Sequence, residues 1–253
     1  MPELTGWANR AFFSNVPLGY KREFGGIMWK NKAESEIVVF DFDGTLISKD
    51  TAMEFTKWLT LKSLPRTILM LAVIPIMLLL IRFSGTQKFG YNMACYISMA
   101  FQKKSLFTLR SEFIKHLFSK VGAIVYQQGL AELIDHQKKG RKVVILSGCP
   151  MWLLHGLIKY MGIKNTQVIG SKFKLVNGAL LIDKHCYQSR KLTMAKQAGL
   201  NFDGWFMGYS DSQADIPFLN LCHHKVLVNA SVKNTAGFEK RLSQPIHKRE
   251  WID

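Results

Sequence analysis

Four consecutive apolar residues, Ile37-Val38-Val39-Phe40, run straight into Asp41-Phe42-Asp43-Gly44-Thr45, so a strand built for burial ends in two carboxylates and a glycine. In extended chain, residues two apart share a side. Asp41 and Asp43 therefore face one cavity, while Phe42 turns back into the core. Two such carboxylates repel, and the repulsion is relieved by a bound cation or by one carboxyl keeping its proton. The second outcome supplies a nucleophile and an acid from one residue type, and carboxylate nucleophiles that form an aspartyl-phosphate are one route to phosphoryl transfer. Gly44 permits a tight turn beside a ligand, and Thr45 offers a hydroxyl. A strand end closed by a polar turn is the plainer reading of the same five residues.

Three further polar stations follow in an order that allows them to converge on one mouth. Ser147-Gly148 ends the apolar strand Lys142–Leu146 ahead of a helix expected from about Met151, an arrangement that brings a hydroxyl and free amides to an anion. Lys191 opens a helical pattern reaching Ala198 and can neutralise a phosphoryl oxygen or the nucleophile. Asp211 and Asp215, in Gly208-Tyr209-Ser210-Asp211-Ser212-Gln213-Ala214-Asp215, stand one helical turn apart and can address a cation together. Taken singly, these features also read as a turn, a solvated lysine and a helix cap.

From Ile37 onward the chain alternates short strands with helical stretches, as in a doubly wound parallel sheet with its site at the carboxyl ends of the strands. Strands are expected near Ile37–Phe40, Lys142–Leu146, Gln167–Ile169, Trp205–Met207 and Lys225–Val228, and Val176-Asn177-Gly178-Ala179 forms a hairpin turn. The four cysteines, Cys95, Cys149, Cys186 and Cys222, have neither paired nor zinc-like spacing and read as reduced thiols in a cytoplasmic setting.

Together the phrases DFDGT, SGCPMWL, the segment from Cys186 to Lys191, and YSDSQADIPFL closely resemble the four-motif signature of the haloacid dehalogenase superfamily of phosphatases, in its phosphoserine-phosphatase-like subfamily. GYSDSQADIPFLNLCHH and the apolar insert after the first motif are most similar to the bacterial phosphatidylglycerophosphatase C group. The resemblance covers nearly everything from Ile37 to Trp251. It implies a haloacid dehalogenase-like α/β core with an α-helical cap inserted after the first strand. It also implies Asp41 as nucleophile, Asp43 as general acid and base, and Lys191, Ser147, Gly148 and Thr45 around the phosphoryl group. Mg2+ would be held by Asp41, Asp211 and the Asp43 carbonyl, with Asp215 in support. The subfamily usually carries glycine three residues before the motif-three lysine. Here that position is Gln188, which predicts a differently shaped loop leading to Lys191.

The expected layout is a basic and aromatic arm over residues 1–35, a catalytic core over 36–48 and 141–253, and a helical cap over 49–140. The cap carries an apolar membrane-associating segment, 68–81, that is apolar on every face of a helix and must be buried somewhere. A single crossing would separate the motifs across a bilayer, so the chain returns, with Phe89–Gln102 available for that. Helices lying in the interface, or a shallow hairpin, are one solution, and a helix packed inside a soluble cap is the other. A formal net charge of +16 and a run of lysines and arginines beside the apolar segment suit anionic lipid at a membrane surface. No nucleic-acid partner is expected, because the positive charge flanks apolar runs instead of lining an aromatic groove.

The leading expectation is therefore a Mg2+-dependent phosphomonoesterase acting on phosphatidylglycerophosphate at the cytoplasmic face of a bacterial inner membrane. A phosphatase for a soluble ester such as phosphoserine, and a non-catalytic basic module, are the alternatives.

Overall fold

The computed structural model of the chain describes residues 36–83, 85–100, 102–243 and 245–252. The expected arm, 1–35, lies outside them. Seven strands form one sheet in the order β4-β3-β2-β1-β5-β6-β7. They are β1 (Ile37–Phe40), β2 (Lys142–Pro150), β3 (Gln167–Val176), β4 (Ala179–Lys184), β5 (Trp205–Ser210), β6 (Cys222–Val228) and β7 (Ile246–Arg249). All pairings are parallel except β3 with β4. That pair closes through Asn177 and Gly178, both at positive φ, as a two-residue Asn-Gly hairpin demands.

β1 sits in the middle of the sheet, between β2 and β5, and its alternation feeds two cores. Val38 and Phe40 pack into one hydrophobic cluster, and Ile37 and Val39 into the other. A strand covered on both faces has to be apolar throughout, and that is why four unbroken apolar residues precede the first aspartate. Chain order reverses across β1, so the crevice at its carboxyl end is the topological switch point of the sheet.

Five helices connect β1 to β2: α1 (Thr51–Leu61), α2 (Leu64–Arg82), α3 (Gln87–Met99), α4 (Leu106–Ser119) and α5 (Gln127–Lys138). The first begins at Asp50, whose carboxylate caps it by accepting from the Met53 amide at 2.9 Å. α2 and α3 make an antiparallel hairpin. A side chain at Gly90 would meet Ile81 Cγ1 at 2.8 Å, so glycine there allows the close crossing. Buried Arg66 fastens the other end by donating to the Ser98 carbonyl at 2.8 Å. The hairpin rests on β4 through Asn92, which accepts from the Ile182 amide at 2.7 Å, and Lys88, which donates to the Asp183 carbonyl at 2.8 Å. α5 packs on the sheet through Leu130 and Leu133, which join its main hydrophobic cluster together with Phe55 of α1 and Phe113 of α4.

Burial inside the cap is not the fate of the apolar segment. Only 11% of the most apolar window of α2 is buried. Leu78 and Leu79 are 64% and 62% exposed, and Ile68, Leu71 and Ile76 are exposed with them. The inward stripe holds Met70 and Met77, both buried.

After β2 come α6 (Met151–Tyr160), α7 (Ser189–Gln197), α8 (Ile216–Leu219) and α9 (Val232–Glu239). β7 lies in a stretch expected only to close the domain, and pairs along β6.

Candidate active site

β1 delivers Asp41 directly to the switch point, where its amide donates to the Tyr209 carbonyl of β5 at 2.9 Å. The next residues coil back on themselves. The amides of Thr45, Leu46 and Ile47 all point to the Phe42 carbonyl, with Gly44 at φ +76° to make the bend. A Cβ on Gly44 would stand 2.6 Å from Asp211 Cγ, so the turn and the β5 loop touch at a point where only hydrogen fits.

Lys191 joins three elements. Its ammonium lies 2.7 Å from Asp41 Oδ1 and 2.6 Å from Asp215 Oδ1, and all three residues are almost fully buried. Burial pulls the lysine pKa down, but Asp215 and Asp41 outweigh it and the net direction is up, so the ammonium stays charged. Gln188 does not spoil this placement. It takes φ +50° and ψ −134°, a conformation that suits glycine, at a cost in strain.

The carboxylates have distinct surroundings. Asp43 Oδ1 accepts from the Thr51 amide at 3.0 Å and from the Thr51 hydroxyl at 2.8 Å, so the first turn of α1 holds it. Its pKa is nonetheless raised well above the ordinary value, first by burial and then by Asp50. A carboxyl that keeps its proton at the reacting centre is what acid catalysis requires. Asp211 is pushed up to about 7 by burial and then by Asp41. Asp215 is likewise raised to about 7 by burial and Asp41, and its Oδ2 accepts from Ser210 Oγ at 2.7 Å.

Four sequence-derived residues thus meet around one spot: Asp41, Lys191, Asp211 and Asp215. Thr45 is brought to the site beside Asp211. It is fully buried, its hydroxyl 3.2 Å from Asp211 Oδ1, and the Asp211 amide also points to that hydroxyl. It therefore positions Asp211. Ser147 and Gly148 lie within β2, at a register shift in its pairing with β3 between Leu146 and Pro150. Ser147 is fully buried and accepts from the Cys149 amide at 3.0 Å, while Gly148 reaches the cavity wall. Asp211 does not cap the following turn either; the Ser212 hydroxyl does that for Gln213–Asp215. Thr51 and Ser210 are holders of the site that the motif reading left without a defined role. A hydroxyl and amide at the first turn of a helix beside a carboxylate is the signal that marks Thr51.

The residues fit magnesium. Asp41, Asp211 and the main-chain carbonyl of Asp43 offer hard oxygen ligands, and the crowding that lifts Asp211 is what a dication would relieve. Asp215 commits its oxygens to Lys191 and Ser210 and so supports the site from behind. Among the described residues no group of three or more His, Cys, Asp or Glu side chains forms a ready cage. Magnesium is suited to that, because it takes one or two carboxylates and fills its remaining positions with water and substrate oxygens.

Above these groups opens a cavity of about 950 Å³. Asp41, Asp43, Lys191 and Asp211 are part of its wall, and so are Phe55, Met70, Ile74, Met77, Met99 and Trp152 from the helices. His185 also lines it, held neutral by burial and by Arg190, which lower its pKa to about 4.

A family model described as haloacid dehalogenase-like hydrolase matches residues 38–220. Among solved structures, a protein of unknown function from Bordetella pertussis Tohama I is similar at a TM-score of 0.65 and 15% identity, over 85% of this chain and 98% of that one. A substrate-bound phosphoserine phosphatase gives 0.55 and 15%, covering 86% and 95%. A phosphoserine phosphohydrolase-like protein from Francisella tularensis gives 0.55 and 17%, covering 83% and 94%. At these identities the likeness is one of fold.

Proposed function

The chain belongs to the haloacid dehalogenase-like hydrolase family, and on that premise we propose that it is a magnesium-dependent phosphomonoesterase whose substrate is an anionic phospholipid, phosphatidylglycerophosphate, converted to phosphatidylglycerol at the membrane. One observation carries the reading: a single cavity joins the carboxylate and lysine cluster to the apolar helix α2, whose other face is exposed. A phosphate head and an apolar body are what such a chamber accommodates together.

Asp41 attacks phosphorus while Lys191, paired with Oδ1, orients the nucleophile and balances the incoming charge. Asp43 gives its proton to the departing alkoxide, and the phosphoryl group rests on Asp41 as an acyl phosphate. The same Asp43, now ionised, takes a proton from the water that attacks that phosphorus, restoring both carboxyls. Thr51, donating twice to Asp43 Oδ1, fixes the orientation of that carboxyl. Magnesium, when bound, supplies charge neutralisation between the nucleophile and the phosphate oxygens.

The outward face of α2, with Leu78 and Leu79, supports contact with the bilayer, and the basic residues of the cap suit its anionic surface. These features support the location we propose, the cytoplasmic leaflet of a bacterial inner membrane. The likeness in fold to phosphoserine phosphatases favours a second reading, a soluble ester such as phosphoserine. Phosphate release from phosphatidylglycerophosphate, phosphatidic acid, lysophosphatidic acid and phosphoserine, in mixed micelles with magnesium, separates the two. Preference for phosphatidylglycerophosphate is the expected result; preference for phosphoserine overturns the lipid reading.

A further inference from the structure

We infer that the cavity holds an internal subsite for the apolar tail of the substrate, built between α2, α3 and the β3–β4 hairpin, so that one hydrocarbon chain leaves the surrounding phase and enters the protein with the phosphate. This rests on the phosphomonoesterase reading and adds what the alcohol must be. The wall along α2 is made by Thr67, Met70, Ile74, Met77 and Ile81. Their three- and four-residue spacing puts them on one face of the helix. From the first to the last is about 21 Å of helix at roughly 1.5 Å per residue, enough to lay an acyl chain along it.

The opposite wall comes from Leu180 and Ile182 of the hairpin, both buried. The two walls are held in register by the Asn92 and Lys88 bonds to the backbone of β4, so the chamber belongs to the fold itself. Methionines recur on the α2 face, and their unbranched, polarisable side chains adapt to a flexible guest. The volume also argues for a large guest: about 950 Å³ is at the upper end for small-molecule sites, far more than a phosphate on a three-carbon alcohol fills. α2 is thus apolar all round for two separate reasons. Its inner stripe meets the substrate tail, and its outer residues meet whatever lies outside the protein.

The test uses linear alkyl phosphates from ethyl to dodecyl, kept below the concentration at which they form micelles, with magnesium and the full-length protein. The expected result is a kcat/KM that climbs about threefold to fourfold per methylene until the stripe is filled, then levels off. Met77→Trp and, separately, Ile74→Trp block the middle of the stripe, so each lowers the decyl-to-ethyl ratio of kcat/KM by about tenfold or more. Turnover of ethyl phosphate by the variants shows that they fold. A flat series with ethyl phosphate hydrolysed overturns the internal subsite and leaves the phosphomonoesterase standing. A rising series that neither tryptophan alters also overturns it, since the tail then binds on the outer face of α2. Failure to hydrolyse any member overturns the phosphomonoesterase reading and the subsite with it.

Discussion

Replacing Gly44 with alanine separates the cost of the turn from the cost to the site. The residue sits at φ +76°, where an alanine is strained by roughly 1 to 2 kcal/mol. The new methyl would also stand 2.6 Å from Asp211 Cγ, while ordinary contact begins at 3.4 Å. Asp211 must therefore retreat by about 1 Å, a misplacement that costs on the order of a hundredfold in rate. Asp211 cannot retreat without pulling on Thr45, whose hydroxyl lies 3.2 Å from both its Oδ1 and its amide. For a chain of this length the strain lowers Tm by about 2 to 8 °C, so the protein remains folded at assay temperature. The measurements are thermal unfolding and steady-state phosphate release from an aryl phosphate, side by side. An alanine variant that keeps more than half of the wild-type kcat/KM would refute the claim that Gly44 and Asp211 are packed against each other for function.

Three other outcomes follow from the same geometry. Gln188→Gly removes strain at φ +50° and restores backbone freedom to the unfolded chain, a net gain of about 1 kcal/mol, so Tm rises by about 2 to 4 °C without loss of kcat; an unchanged or lower Tm contradicts it. Asp211 and Asp215 are raised to about 7, and Asp43 is raised too, so between about pH 4 and 7 the native state keeps protons that the unfolded chain has released. Magnesium-free protein therefore loses stability as pH rises through that window. Added magnesium raises Tm more at pH 7.5 than at pH 5, and a magnesium effect independent of pH, measured by thermal unfolding with and without chelator, counts against carboxylate ligation. The double variant Leu78→Glu, Leu79→Glu charges two exposed positions, and its partitioning onto anionic vesicles in flotation falls by at least about tenfold; equal flotation removes α2 as the contact.

Much of the fold was legible because burial on both faces of β1 leaves no choice but an unbroken apolar run, and because Asn177-Gly178 encodes its own turn. Other parts were hidden for definable reasons. β7 is Ile246-His247-Lys248-Arg249, with no apolar alternation, and it becomes a strand because β6 offers it an edge. β2 is irregular over Ser147-Gly148-Cys149, which reads as a turn, and its pairing with β3 resumes only at Pro150 and Ser171. At the site, Asp41, Asp211 and Asp215 stand out by their spacing, whereas Lys191, on its own a solvated lysine, was marked by the family resemblance. The roles of Thr45 and Thr51 were not legible, because a hydroxyl's partner is set by three-dimensional approach: Thr45 turns to a residue 166 positions away, and Thr51 reaches Asp43 from the cap. The outward exposure of α2 could not be read from a helix apolar on every face, since the same pattern suits a buried core.

The central claim is that Asp41 carries the phosphoryl group between the two steps. Rapid acid quenching of the enzyme during turnover with magnesium, followed by mass analysis of the peptide containing Asp41, tests it directly. The account predicts a phosphoryl adduct on Asp41 in the wild type, and neither adduct nor turnover in Asp41→Asn. An Asp41→Asn variant that hydrolyses substrate at the wild-type rate would contradict it.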